Sequence, residues 1–337
     1  MEADGENMII TRKAATKIII CGEHFVVYGA PAIAFPTKIT NEVRLSEERG
    51  PFPLGRKEGF EIRSGKRRAT AGADGRAEGE EDLKNFLQLF WTLAKKRKAG
   101  TKLVAKFVNH GAVKGMGNSA AFATALARCL LKYSNRKMGE EELFNLVQEI
   151  EQRVHGGRAS GIDARTVIAG RPQIFMKRFN PPKYEIADAE LGLPNGTALI
   201  VIDTYKGSRQ STSETTAVFA EAHGIRAKPW ELDDAGRTRL LEPYASVFKG
   251  MLAQLKPEGD AKKLGRHMDA NQRLLASVSS KGIKEAVAIA RDAGALGAKL
   301  TGGGGEGGAV IALAEKKKVG RIIAACKKAG FKAFAVL

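Results

Sequence analysis

The chain has 337 residues, 43% of them hydrophobic, and carries 55 Lys and Arg against 37 Asp and Glu for a formal net charge of +18. That length and apolar content support a large core divided between two lobes and exclude general disorder. The basic residues are scattered rather than gathered into an aromatic-interleaved stripe, which argues against nucleic-acid and membrane partners; the densest runs, Lys95-Lys96-Arg97-Lys98 and Lys316-Lys317-Lys318, read as solvated helix ends.

Residues 1–7, Met-Glu-Ala-Asp-Gly-Glu-Asn, are acidic and polar, unlike a secretory signal, and no apolar run approaches the ~18 residues of a membrane span. Cys21, Cys129 and Cys326 stand alone inside apolar runs without Cys-x-x-Cys spacing, so a cytoplasmic protein with reduced cysteines and no zinc site is expected. Residues 18–21 and 26–28 are short β-branched runs flanking Gly22-Glu23-His24, which predicts strand, turn and further strand. Strands are also expected over 42–45 and 60–63. Residues 65–79, rich in Gly, Ala and Arg, lack any large apolar side chain and are expected to form a flexible surface insertion. A helix over 82–96 and a strand over 102–108 follow.

That strand feeds Gly115-Met116-Gly117-Asn118-Ser119-Ala120-Ala121, a glycine-rich turn running into a small-residue amphipathic segment that ends near Tyr133. Glycines let backbone N–H groups approach an anion without an intervening Cβ, and the first turn of a helix offers unpaired amides and the positive end of its dipole. No Gly-Lys-Ser/Thr follows, as a P-loop needs, and no third glycine falls on the dinucleotide schedule. Taken alone, the stretch is equally a nucleotide loop of a third kind or an unliganded helix start. A helix over 140–155 sets Leu143, Val147, Ile150 and Val154 on one face, with Glu151 at its edge. A carboxylate buried there needs a partner, and the position reads as a contact with His155 at i,i+4, as a tilt to solvent, or as a ligand to a hard cation.

Asn180-Pro181-Pro182 interrupts both periodicities and marks a lobe boundary, giving domains 1–180 and 181–337. Beyond it come a buried strand over 199–203, then Gly207-Ser208-Arg209-Gln210-Ser211-Thr212 ahead of a helical pattern. The chain closes with a helix over 284–293, a glycine loop, a strand over 309–314, a helix over 316–328 and a strand over 333–337. This succession suits an α+β sandwich with helices on one face of a mixed sheet.

Three segments, in order, carry a family resemblance. They are Lys17-Ile-Ile-Ile-Cys-Gly22-Glu23-His24-Phe-Val-Val-Tyr-Gly29-Ala-Pro31-Ala-Ile-Ala, the loop at Gly115, and Gly297-Ala298-Lys299-Leu300-Thr301-Gly302 with the glycines up to Gly308. Together they resemble the three motifs of the GHMP kinases, the family of galactokinase, homoserine kinase, mevalonate kinase and phosphomevalonate kinase, over most of the chain. Gly-Glu-His followed by Val-Val-Tyr-Gly and Pro-Ala-Ile-Ala is similar to the mevalonate kinase branch, archaeal forms included, as is His155-Gly156 with Ser160-Gly161-Ile162-Asp163. Phosphomevalonate kinases typically carry tyrosine where this chain has His24.

The resemblance implies an α+β, two-lobed GHMP-kinase fold: an N-terminal α/β lobe with a mixed sheet, a C-terminal ferredoxin-like α/β sandwich lobe, and the active site in the cleft between them. It implies ATP and Mg2+ as cofactors, phosphorylation of mevalonate for isoprenoid biosynthesis, and a homodimer. Asp163 corresponds to the family's catalytic aspartate, which accepts or steers the proton of the acceptor hydroxyl, and Lys17 to the lysine that stabilises the forming alkoxide. Ser119 and Glu151 correspond to the Mg2+ ligands, Glu23 and His24 to the substrate-side pair, and Thr212 to a hydroxyl near the catalytic aspartate. Lys114, Gly115, Met116, Gly117, Asn118, Ser119 and Ala120 correspond to the nucleotide-binding loop. The chain departs from the pattern at Ala15-Thr16, where Pro-Gly is usual, at Asn118, where serine is common, and at Glu306, inside the third glycine run. One extra residue also separates His155 from Asp163. None of these changes removes a catalytic group.

Overall fold

β1, Ile9–Cys21, alternates between exposed and buried positions at its start and is buried continuously from Thr16 onward, the change from a half-covered to a fully covered strand. The computed structural model describes residues 9–49, 59–72, 75–94, 101–179, 183–187 and 190–337. Residues 1–7, the Lys95–Lys98 run and the boundary expected at 180–182 lie outside them. Two compact units are drawn from interleaved stretches, the first from 1–16, 39–112 and 118–157, the second from 17–38, 113–117 and 158–337. They interleave because β1 and the long β2, Ala32–Arg49, each contribute to both.

In the first unit follow β3 (Gly59–Ser64), β4 (Arg67–Gly72), β5 (Ala77–Gly79), α1 (Glu81–Leu93), β6 (Thr101–Asn109), α2 (Asn118–Tyr133) and α3 (Glu140–Val154). The strands run in the order β5-β4-β3-β6-β2; β3 lies parallel to β6 and the other pairs are antiparallel, so the sheet is mixed. α1 opens with Glu81 and Asp82, which suit the positive end of its dipole, and buries Leu83, Phe86, Leu87, Phe90 and Leu93. Phe90 meets Phe60 of β3 at 4.8 Å between ring centroids, and Phe86 meets Phe107 of β6 edge-on at 5.3 Å. α2 buries Ala120, Ala121, Ala123, Ala125 and Ala127, small residues that let α1 and α3 pack close.

The insertion expected over 65–79 is not a flexible excursion. Its residues form β4 and β5, with Ala69 and Ala71 buried and β4 laddered to both β3 and β5. Alanine and threonine side chains suffice where a strand is covered closely by α1, and Gly65 supplies the left-handed turn between β3 and β4, at φ +60°.

In the second unit follow α4 (Ile162–Ala169), β7 (Gln173–Arg178), β8 (Lys183–Ala187), β9 (Thr197–Asp203), α5 (Thr212–Ala222), α6 (Asp234–Gln254), α7 (Ala261–Leu274), α8 (Lys281–Asp292), β10 (Gly297–Thr301), β11 (Ala309–Glu315), α9 (Val319–Lys328) and β12 (Lys332–Ala335). β10-β11-β9-β12 form a four-stranded antiparallel sheet, and β2 pairs β7, which pairs β8. Val201, Ile202, Val310 and Ile311 are fully buried at the centre of this sheet. Two expectations are corrected here. Residues 25–28 form a 3-10 turn rather than a strand, because Val26 N–H donates to Gly22 O and Val27 N–H to His24 O, curling the β-branched pair away from extension. The segment 297–301 is strand β10, not loop, and the glycine turn begins only at Gly302.

Candidate active site

Lys17 lies where β1 passes through the second unit and is 1% exposed, so its ammonium must be paired. Its Nζ sits 2.9 Å from Asp163 Oδ1 and donates to Gly115 O at 3.2 Å, while its backbone N–H donates to Met116 O at 2.9 Å. Asp163 stands in the first turn of α4, entered through Gly161 at φ +105°, and its carboxylate keeps a quarter of its surface open. Gly117 adopts φ +67°, and a Cβ there would lie 3.0 Å from Lys17 Cε, so glycine is what lets the loop close over the lysine. Gly115 is equally constrained, since a Cβ would meet Thr301 O at 2.7 Å. The second glycine motif is thereby seated, backbone on backbone, against the third.

In the first unit, Asn118 and Ser119 open α2 and Glu151 occupies the last turn of α3, which packs on α2. Glu151 is 1% exposed; its Oε2 lies 3.5 Å from His155 Nε2, and its Oε1 is buried without a hydrogen-bond partner. Of the partners expected for this carboxylate, the structure shows His155 at one oxygen. An orphaned carboxylate oxygen is the kind of hard donor that Mg2+ takes while keeping its waters and phosphate ligands. Asn118 Oδ1 accepts from Asn41 Nδ2 at 3.0 Å, which ties the start of α2 to β2.

Glu23 and His24 are both buried. Glu23 Oε1 accepts from Lys299 Nζ, which also donates to Leu300 O at 2.6 Å, while Glu23 Oε2 has no hydrogen-bond partner. Burial pushes the Glu23 carboxyl up and the Lys299 ammonium down from their ordinary values, each resisted by the other's charge. His24, at φ +61°, stacks on Phe219 with ring centroids 5.0 Å apart, and its Nε2 meets Gly303 O at 3.1 Å. A carbonyl can only accept, so Nε2 carries the proton.

Burial lowers His24 to about 4. The unfolded value lies above the folded one, so between about pH 6.5 and pH 4 the unfolded chain binds the extra proton and stability falls as pH falls, by ~3 kcal/mol across the window. Glu23, raised by burial, acts with the opposite sign, so the readout is the difference between two proteins. Urea midpoints of His24→Asn, which tolerates positive φ, should decline less from pH 7 to pH 5 than those of the wild type; parallel declines would contradict a neutral buried His24.

Thr212 is the first residue of α5, after Ser211, whose hydroxyl caps Glu214 N–H while the Glu214 carboxylate returns to Ser211 N–H at 2.6 Å. A Cβ on Gly303 would approach Thr212 Oγ1 to 2.9 Å, so the third glycine run passes against that hydroxyl. Lys114 Nζ donates to the carbonyls of Gln210, Gly304 (3.3 Å) and Glu306 (3.4 Å).

Residues 89–171 match the model of the GHMP kinases N terminal domain, and residues 251–332 match that of the GHMP kinases C terminal domain. A mevalonate kinase of Thermococcus sibiricus is 31% identical over 334 residues, covering 96% of this chain and 94% of the relative. The chain belongs to the GHMP kinase family. A mevalonate kinase of Thermococcus onnurineus is 32% identical over 92% of this chain and 91% of its own length. Among solved structures, Leishmania major mevalonate kinase in complex with R-mevalonate overlays with a TM-score of 0.76 at 24% identity, covering 99% of this chain and 97% of its own. Methanococcus jannaschii mevalonate kinase overlays at 0.72 with 19% identity, covering 99% of each chain. These likenesses agree with the α+β GHMP-kinase fold of the two units.

Three residues of this GHMP kinase escape motif reading. Lys299 sits within the third motif, but only the fold reveals that it neutralises Glu23, 276 positions away. Thr301 Oγ1 accepts from Ile19 N–H at 2.9 Å and donates to Ile19 O at 3.1 Å, stitching the first motif to the third. Phe219, the platform for His24, is buried in a helix with no motif, and no sequence signal pointed to it. No helix among the described residues is long and apolar enough to cross a membrane.

Proposed function

We propose that this chain transfers the γ-phosphoryl group of ATP to the C5 hydroxyl of (R)-mevalonate, giving 5-phosphomevalonate. The observation that carries this reading is the buried Lys17 ammonium held 2.9 Å from a partly open Asp163 carboxylate, in a GHMP kinase similar over its length to archaeal mevalonate kinases. Asp163 accepts the hydroxyl proton as the oxygen attacks the γ-phosphorus and the bond to the ADP oxygen breaks. Lys17 stabilises the developing alkoxide, and the Gly115–Ala120 amides belong to the loop assigned to nucleotide. Glu23, His24 and Thr212 are assigned to the substrate side.

Ser119 and Glu151 are assigned to Mg2+, the second through its orphaned Oε1. Bound there, the ion neutralises charge on the ATP phosphates. Among the described residues no group of three or more His, Cys, Asp or Glu side chains gathers as a metal site. Glu151→Gln should raise the Mg2+ concentration needed for half-maximal activity several-fold with little change in saturated turnover. Superimposable Mg2+ titrations would leave Glu151 as a partner of His155 alone.

We assign residues 1–180 and 181–337 to the N- and C-terminal family domains, and place the protein in the cytoplasm as a homodimer. Its three cysteines are free and buried, in keeping with a reducing compartment. A coupled ADP-release assay with mevalonate, phosphomevalonate, homoserine and galactose tests the substrate. Turnover is expected with mevalonate; turnover confined to phosphomevalonate would overturn the assignment.

A further inference from the structure

Lys114 precedes the second glycine motif, yet its ammonium points to no side chain of that motif. It donates to three carbonyls, those of Gln210, Gly304 and Glu306, which is the full donor capacity of a lysine. Gln210 ends the loop that leaves β9 and enters α5; Gly304 and Glu306 belong to the third glycine run. The opposite end of that loop is anchored without Lys114, because Thr204 N–H and Oγ1 both donate to Gly308 O, at 3.1 and 2.7 Å. Between the anchors, residues 205–209 are exposed, and Gln210 N–H donating to Glu306 O at 3.0 Å is the backbone link at the α5 end. Arg209, Glu214 and Glu306 are the charged groups that act on the ammonium. One position that sets this chain apart on sequence lies here: Glu306 interrupts the glycine run, and its carbonyl is one of the three that Lys114 holds.

We propose that Lys114 is a positioning residue: its ammonium pins the loop between β9 and α5 to the third glycine run and thereby sets Thr212 for the acceptor substrate. The proposal rests on the mevalonate reading for its kinetic consequence, but not for its structural one. It departs from a role for Lys114 as a phosphate ligand, because the three N–H donors are already committed to carbonyl oxygens that cannot release them without freeing the loop.

Two measurements on Lys114→Met decide it. Hydrogen exchange of the Gln210 amide should accelerate by about tenfold or more while the Thr204 amide is unchanged, since only the first depends on the clamp. KM for mevalonate should rise about tenfold with KM for ATP within about twofold and kcat nearly unchanged. In Lys114→Cys, treatment with 2-bromoethylamine rebuilds an ammonium of near-lysine length, and 2-bromoethanol builds a neutral arm. The native thiols are buried, with Cys21 and Cys129 pushed up to about 12, so the introduced thiol reacts selectively. The aminoethyl arm should restore slow Gln210 exchange and the mevalonate KM, and the hydroxyethyl arm should restore neither. Unchanged Gln210 exchange in Lys114→Met overturns the proposal, as does a rise in KM confined to ATP. If the wild type fails to turn over mevalonate at all, the substrate reading falls and the exchange result alone still decides the clamp.

Discussion

Asp163→Asn is expected to lower turnover by about 10²-fold or more while leaving ATP affinity near that of the wild type. The substitution keeps shape, and its amide oxygen can still accept from Lys17 Nζ, which retains Gly115 O as a second acceptor. What disappears is the basic oxygen that takes the hydroxyl proton and the negative charge that balances the buried ammonium. Because the Asp163 side chain is 27% exposed, water can solvate part of the altered site, so the loss of stability should be modest beside the loss of rate. Single-turnover kinetics with saturating ATP separate chemistry from binding, and near-wild-type turnover would remove Asp163 from the proton-accepting role.

Lys299→Met carries the largest expected effect on stability. Lys299 and Glu23 are each fully shielded from solvent, and their neighbours Cys21 and Tyr244 are buried too, so no water can replace the lost ammonium. Breaking such a pair from one side typically costs ~3–5 kcal/mol, because the remaining charge is desolvated and unpaired. Glu23 then escapes by taking up a proton, so the deficit should be largest near pH 8 and shrink as pH falls. The double variant Glu23→Gln with Lys299→Met removes both charges and should recover much of the loss. Denaturant midpoints across pH 5 to 8 make the comparison; a single variant as stable as the wild type at pH 8 would show that the pair contributes little.

Much of the fold was legible where periodicity and length agreed. The helices at Glu81–Leu93 and Glu140–Val154 and the strands at Thr101–Asn109 and Ala309–Glu315 fall within a few residues of their expected bounds. The failures share a physical origin in tertiary context. β4 reads as polar low-complexity chain because its buried face is made of Ala69 and Ala71, whose apolarity is worth little in isolation and becomes useful only under α1. Val26–Tyr28 reads as strand by β-branching, but His24 at positive φ and the Gly22 carbonyl turn Phe25–Tyr28 into a 3-10 curl.

The candidate site divides along the same line. Lys17, Asp163, Ser119 and Glu151 could be picked out as candidates by their match to the family pattern, and the fold brings Lys17 and Asp163 into direct contact. The partners that hold these motifs in place, Lys299 for Glu23, Phe219 for His24 and Thr301 for the backbone of Ile19, act across 276, 195 and 282 positions of sequence separation. No local pattern encodes a contact at that range. Glu42 shows the same limit in part: Arg44, His110 and Lys13 converge on it and hold its carboxyl down at about 2, and of these only Arg44 is near it in sequence.

The phosphorus NMR spectrum of the product formed from ATP and (R)-mevalonate bears most directly on the central claim. Transfer to the C5 hydroxyl places the phosphate on a methylene oxygen, so the new resonance should be a triplet split by the two C5 protons, appear in step with ADP, and grow about 10²-fold more slowly with Asp163→Asn. A phosphate signal without that splitting, or ADP release with no mevalonate-derived phosphate ester, would contradict it.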